Sequence, residues 1–206
     1  MSIMKNSSLR CKRLLNFDFD GTVADTSPLH AAAFAQVLAP MKIEVNYSSI
    51  AGLRTIDAMR QCLAGVGRPL SDADVSSLVE AKQRCVRQMI ARSLWPLPGV
   101  DEFLRRARSR FRLAMATSGS RDTVRFALEK LGYAGWFDPL VCADDVARGK
   151  PDPEGFLHVL RIAGVATREA LVFEDSQAGF MAAAAAGLDF VDARSNPWRI
   201  SAGVSP

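Results

Sequence analysis

From Gly99 onward the chain alternates short apolar runs with helix-length amphipathic segments. This alternation limits the fold more than any other feature. Residues 111–116, 140–142, 171–173 and 188–191 read as strands, and 121–131, 153–163 and 177–186 as the helices between them. Strands joined through helices pair in parallel, and the connecting helices cover both faces of the sheet. Leu14-Leu15-Asn16-Phe17 is a further apolar run that ends in a polar loop, so it joins the same sheet. Asn16 is out of place in a strand that is otherwise apolar, and the sequence gives no reason for it.

The periodicity between that first strand and the breaker-rich joint Trp95-Pro96-Leu97-Pro98-Gly99 is helical throughout. Thr26-Ser27-Pro28 reads as a hydroxyl cap and an early proline, followed by Leu29, Ala33, Phe34, Val37 and Leu38 at helical spacing. A second helix follows Thr55, carrying Ile56, Met59, Cys62 and Leu63. A third starts near Ser71, with Asp74 in capping-box position and Val75, Leu78, Val79, Val86, Met89 and Ile90 as its stripe. The expected fold class is therefore α/β: a Rossmann-like parallel sheet with helices on both faces plus an inserted all-helical domain. The core is assigned to residues 9–26 and 94–206 and the insertion to 27–93. The segment after Ser195 reads as a short, polar surface extension.

Composition narrows the function classes. At 206 residues, with 49% hydrophobic and 23% charged residues, the chain can bury a substantial core and is not globally disordered. The net charge of +4 comes from scattered basic residues, so nucleic acid is not the expected partner. The run from Arg105 to Arg110 interleaves with Phe103, Leu104 and Ala107, as on a surface helix. Cys11, Cys62, Cys85 and Cys142 show no paired or metal-binding spacing and read as free thiols of a reducing, cytoplasmic setting. Lys5, Arg10, Lys12 and Arg13 without an apolar run argue against a signal peptide, and no stretch is long enough to span a membrane. A monomer or weak homodimer is expected.

Ligands of open parallel sheets gather outside the carboxyl ends of the strands, and those ends carry the polar residues here. Asp18 and Asp20 follow the first strand at i and i+2, spaced to face one ligand. Two carboxylates that close repel, and a magnesium ion relieves that conflict through oxygen ligands. One aspartate is then placed to attack phosphorus and the other to handle the leaving-group proton. Thr117-Ser118-Gly119-Ser120 precedes a helix and offers hydroxyls and free N–H groups to an anion. Lys150 sits between Gly149 and Pro151, on a restrained loop, as a counter-charge. Glu174-Asp175 supplies carboxylates suited to a cation, Asp175 the better placed. Taken singly, these are also an Asx-turn, a helix cap, a surface lysine and an N-cap. Taken together, they are the inventory of phosphoryl transfer, where positioning and charge stabilisation do most of the catalysis.

The four segments, in this order, resemble the motifs of the haloacid dehalogenase-like hydrolase superfamily. The run Phe173-Glu-Asp-Ser-Gln-Ala-Gly179 is similar to the β-phosphoglucomutase-like and sugar-phosphatase branch. The resemblance implies that Asp18 forms an aspartyl-phosphate and that Asp20 is general acid and then base. It implies Mg2+ held by Asp18, the backbone carbonyl of Asp20, and Asp175, with Glu174 assisting. Thr117, Lys150 and the amides of Ser118 and Gly119 would bind the phosphoryl group. Residues 27–93 would be a mobile cap domain. His30 falls where this branch often places a histidine facing the cleft, though a surface histidine fits the position equally. Gly52-Leu53-Arg54-Thr55 resembles the cap's specificity loop, with Arg54 directed at a second anionic group or hydroxyls, or simply solvated. Lys82, Arg84 and Arg87 are weaker cap candidates.

Two departures shape the functional reading. Dehalogenases proper lack the second aspartate, so Asp20 argues against dehalogenation. The mutases typically carry arginine where Thr55 stands. The leading expectation is a magnesium-dependent phosphatase acting on a small sugar or polyol phosphate. A sugar-phosphate mutase and a non-catalytic phospho-ligand binding module are the alternatives.

Overall fold

A computed structural model of the chain describes residues 11–64 and 70–199. Most of the N-terminal segment read above as lacking an apolar leader lies outside the described residues. In chain order the main elements are β1 (Leu14–Phe17), α1 (Ser27–Leu38), α2 (Thr55–Leu63), α3 (Asp72–Arg92), α4 (Val100–Ala107) and β2 (Arg112–Ala116). They continue as α5 (Arg121–Lys130), β3 (Leu140–Val141), α6 (Glu154–Ala163), β4 (Ala170–Glu174), α7 (Gln177–Ala185) and β5 (Asp189–Asp192). No described helix is long and apolar enough to cross a membrane.

The five strands form one parallel sheet in the order β3-β2-β1-β4-β5. The chain moves outward from β1 to β2 and β3, then returns to β4 on the other side. The reversal lies between β1 and β4, where an open α/β sheet leaves a crevice at its carboxyl edge. Asp18 and Glu174 are the residues that flank it.

Alternation along the strands divides the core. Leu15 and Phe17 of β1 face α4 and α5, together with Leu113, Met115, Leu171 and Phe173. Leu14 faces α6 and α7 with Ala114, Ala116, Ala170 and Val172. Small residues Ala182 and Ala183 let α7 pack close on that side. A third cluster, built from Phe34, Leu38, Met59, Leu63 and Val75, holds α1, α2 and α3 together at the carboxyl edge. Ser71 and Asp74 form a reciprocal capping box that starts α3. The chain enters and leaves this helical block side by side, with Asp25 N–H donating to Trp95 O (3.1 Å) and Leu97 N–H to Val23 O (3.0 Å).

The part of the segment after Ser195 that is described, residues 196–199, departs from the expected polar extension, and residues 200–206 lie outside the described residues. Trp198 is only 7% exposed and packs its ring 5.3–6.5 Å from those of Phe103, Phe173 and Phe17. Truncating a core aromatic typically costs about 3–5 kcal/mol, so this residue belongs to the core behind the two strands that carry the acidic residues. A lone tryptophan among polar neighbours has no period to reveal it.

Asn16 is fully buried on the α6/α7 face, between Ala114 and Val172, and neither polar atom of its side chain has a hydrogen-bond partner. An unpaired buried amide costs about 1–3 kcal/mol. Asn16→Val should therefore raise the unfolding free energy by about 1–2 kcal/mol in a denaturant titration. A lower midpoint would show that the amide has a stabilising role that the packing does not reveal.

Candidate active site

The carboxyl edge gathers three carboxylates and one ammonium. Asp18 extends the β1 ladder by donating its N–H to Phe173 O (2.9 Å), which turns its side chain into the crevice. Lys150 reaches in from the loop before α6 and binds Asp18 Oδ1 at 2.6 Å and Glu174 Oε1 at 2.5 Å. Glu174 Oε2 accepts from the N–H groups of Asp175 and Ser176 and from the Ser176 hydroxyl, at 2.8–3.0 Å. Gly179 makes room for it: a Cβ there would lie 1.9 Å from the Glu174 carboxyl. Asp175 accepts from Thr22 Oγ1 at 3.3 Å. Gly21 (φ 77°) passes so close that a Cβ would meet Asp175 Oδ2 at 2.3 Å, and the positive φ independently favours glycine.

Oxygen atoms of Asp18, Glu174 and Asp175 lie within 4.8 Å of one another. Burial pushes the Asp18 carboxyl above its ordinary range; Glu174 and Asp175 add to this, and Lys150 opposes it. Asp175 is raised to about 7, first by burial and then by Glu174. Burial alone would lower Lys150, but its two carboxylate partners outweigh it and hold it an ammonium. When all three carboxyls are ionised, the single ammonium leaves two negative charges uncompensated. An all-oxygen donor set with that deficit fits a hard divalent cation.

The Asp20 carboxylate is not part of this cluster; the resemblance gave its backbone carbonyl, not its side chain, as the ligand. The carboxylate accepts from Thr26 Oγ1 at 2.5 Å and lies 3.3 Å from His30 Nε2. Beyond Phe17, where β1 ends, the chain turns through residues 19–24, and both aspartates line one cavity with different partners. Burial would raise the Asp20 carboxyl, but His30, Thr26 and Lys82 together bring it well below the usual range. Lys82 is 1% exposed, with Nζ 2.8 Å from His30 Nδ1 and 4.7 Å from the Phe34 ring centroid. Its burial lowers it to about 8, so it is still an ammonium at pH 7. His30 thus bridges Lys82 and Asp20 through its two ring nitrogens.

Thr117 is buried at the end of β2, and Gly119 N–H donates to its hydroxyl (3.1 Å). Ser118 and Gly119 line a cavity together with Asp18, Asp20 and Asp175. His30 and Lys82 border the same cavity from the helical block. Arg54 does not line it: its guanidinium pairs with Asp57 (2.7 Å) and donates to the carbonyls of Val146 and Ala147. Arg84 pairs with Glu80 and Arg87 donates to Thr123, both away from the carboxylates.

Two participants were not legible in the sequence, and a third was only weakly so. Thr26 was read as a helix cap, but it makes no capping bond. Its backbone is helical (φ −100°, ψ −15°), and its hydroxyl goes to Asp20 instead. Tyr47 contributes a wall of the cavity from the loop before α2, with no motif around it. Lys82, only a weak candidate by sequence, is joined to His30 across 52 residues of chain.

These features define a Rossmann-like α/β fold with its acidic site at the sheet's reversal point. The family model for haloacid dehalogenase-like hydrolases matches residues 15–193, and the chain belongs to that family. It is 34% identical over 180 residues to the fructose-1-phosphate phosphatase YqaB of Escherichia coli, covering 87% of this chain and 95% of that protein. It is 32% identical over 178 residues to a phosphorylated carbohydrates phosphatase of Thermotoga maritima, covering 84% and 81%. Among solved structures it resembles CbbY of Rhodobacter sphaeroides in complex with phosphate, with a TM-score of 0.77 and 26% identity over 87% of this chain and 84% of that one.

Proposed function

We propose that the chain is a magnesium-dependent phosphatase that hydrolyses a small sugar or polyol monophosphate through an aspartyl-phosphate on Asp18. The observation that carries this reading is the buried cluster of Asp18, Glu174, Asp175 and Lys150 at one strand edge, with its net negative charge. The names of the phosphatase relatives support the substrate class.

Asp18, Asp175 and Glu174, with the backbone carbonyl of Asp20, would hold the cation. When bound, the cation neutralises charge on the phosphoryl oxygens. The Asp18 carboxylate attacks phosphorus, and the bond from phosphorus to the leaving oxygen breaks. Thr117, Lys150 and the amides of Ser118 and Gly119 hold the phosphoryl group during transfer. Asp20 gives a proton to the leaving oxygen, then takes one from the water that attacks the aspartyl-phosphate. Breaking the bond from phosphorus to Asp18 frees inorganic phosphate and restores the carboxylate. In the substrate-free chain Thr26 and His30 hold Asp20 ionised, so it must take up a proton from solvent as the substrate binds before it can protonate the leaving oxygen; the attacking water later returns a proton to it. Residues 27–93 act as the cap, excluding bulk water while the acyl phosphate exists.

A phosphate-release assay over sugar and polyol monophosphates, with and without Mg2+, tests the proposal. Release that depends on the metal is expected. No release from any phosphomonoester with the metal present would sink it.

The cation also gives a prediction free of turnover. Without metal, Asp175 titrates near 7 in the folded chain against an ordinary value of 3.8. That stability is full below 3.8 and is lost as pH rises towards about 7, because only the unfolded chain ionises easily there. Mg2+ relieves the repulsion of the ionised form, so it should stabilise more at pH 8 than at pH 5. At about 100 times its dissociation constant the gain is about 2.7 kcal/mol, or roughly 5–10 °C in Tm for a chain of this size. Equal Tm shifts at both pH values would contradict the assignment of these carboxylates as the ligands.

A further inference from the structure

Arg54 stands at the entrance of α2 and reaches across to the catalytic half of the molecule. Its Nη1 donates to Val146 O (3.3 Å) and Ala147 O (2.9 Å), and its Nε and Nη2 donate to Asp57 (2.7 and 3.3 Å). Four of the five guanidinium hydrogens are thus committed. Gly149 lies against the stem: a Cβ there would come within 2.6–2.8 Å of Arg54 Cγ, Cδ and Nε. The next residue is Lys150, the cation of the catalytic cluster.

The same short loop of the helical block touches two other strand-end loops. Ser118 Oγ donates to Gly52 O at 2.6 Å. Gly52 adopts φ 81°, and a Cβ there would lie 2.2 Å from Ser176 Oγ. Residues 52–54 therefore rest on the loops that carry Thr117, Lys150 and Asp175 at once, with Arg54 making the most polar contacts.

The cavity that remains has little positive charge to offer a substrate's far end. Among its described lining residues the basic side chains are His30 and Lys82; these pair with each other, His30 also meets Asp20, and Lys82 donates to Thr55. Its other walls include Phe34, Tyr47, Ile50 and Leu53. An ionised group placed there would lose its water without gaining a free cation, which is costly.

We propose that Arg54 is a clasp that fixes the closed helical block to the Lys150 loop, and that the cavity accepts monoesters whose leaving alcohol carries no second anionic group. The substrate half rests on the phosphatase reading above. The clasp half stands on the contacts alone. Arg54 is thus a positioning residue, in contrast to the substrate-binding role expected from the sequence. The same commitment disfavours a mutase, whose bisphosphorylated intermediate needs a cation for its second phosphate.

The test compares a ketohexose 1-phosphate with the matching 1,6-bisphosphate, using wild type, Arg54→Ala and Gly149→Ala with Mg2+. Wild type should prefer the monophosphate by at least about tenfold in kcat/KM. Arg54→Ala should lower kcat/KM by about 10- to 100-fold for both esters, leaving their ratio unchanged. Gly149→Ala, which keeps the arginine but displaces its stem, should produce the same uniform loss. Amide hydrogen exchange over residues 146–150 should speed up in Arg54→Ala even without substrate. Equal use of both esters by wild type would overturn the substrate half. A selective rise in KM for the bisphosphate in Arg54→Ala, or unchanged exchange, would overturn the clasp. If wild type hydrolyses no phosphomonoester, the phosphatase reading falls, and the exchange experiment still decides the clasp.

Discussion

Replacing Asp18 by asparagine should abolish turnover, lowering kcat by on the order of 10⁴ or more. The substitution nearly preserves shape, and the site around it is built by backbone and by other residues. Phe173 O still receives the residue-18 N–H, and Glu174 still holds Lys150. An amide, however, cannot supply the carboxylate oxygen that bonds to phosphorus. The variant should therefore fold, bind phosphate and fail to turn over. Steady-state phosphate release together with a thermal melt checks both halves. Near-normal release from a folded variant would rule out covalent catalysis at this residue, and a pure binding module would give no release even in the wild type.

The largest stability effect should come from Lys150→Met. Lys150 is buried and is, among the described residues, the one ammonium between the Asp18 and Glu174 carboxylates. Removing one member of a buried ion cluster leaves uncompensated charge and typically costs about 3–5 kcal/mol. Methionine can fill much of the stem's space beside Phe156, whose ring centroid lies 5.1 Å from Nζ, so the loss should be mainly electrostatic. Two signatures follow. The metal-free variant should unfold at markedly lower denaturant than wild type, and Mg2+ should restore part of the difference by neutralising the same carboxylates. A variant as stable as the wild type without metal would show that the cluster does not carry the charge assigned to it. Activity should fall in parallel, by about 10²–10³, because the developing charge on the phosphoryl oxygens loses a fixed partner.

Local signals made most of this molecule legible. Strands β1 to β4 are short, largely apolar runs, and each chemical motif lies in a loop that follows one. A reader of the sequence therefore meets Asp18, the Thr117 loop and Glu174-Asp175 already attached to their elements. Topology alone then brings them together, since the strand order reverses between β1 and β4. Lys150 also fell into place, as a lysine held between glycine and proline, although its two partners lie 132 and 24 residues away.

What escaped was side-chain direction and long-range pairing. Asp18 and Asp20 have the spacing of a shared face, but the turn after β1 sends Asp20 to Thr26 and His30. Thr26 looked like a cap because hydroxyls before helices usually are, and only its helical backbone angles show otherwise. Arg54 looked free to meet substrate, yet it pairs with carbonyls 92 and 93 residues away. Trp198 could not be told from a surface residue without the aromatic stack behind β1 and β4. In each case the deciding contact joins parts of the chain that periodicity does not connect, or depends on a rotamer that residue type does not fix.

The central claim is the covalent one, and trapping tests it most directly. Enzyme turning over a sugar monophosphate with Mg2+ is quenched, reduced with borohydride, which converts an acyl phosphate to an alcohol, and mapped by peptide mass spectrometry. The account predicts homoserine at position 18, and none when Asp18→Asn is treated in the same way. Full phosphate release with an unmodified Asp18, or with the reduced residue at another carboxylate, would contradict it.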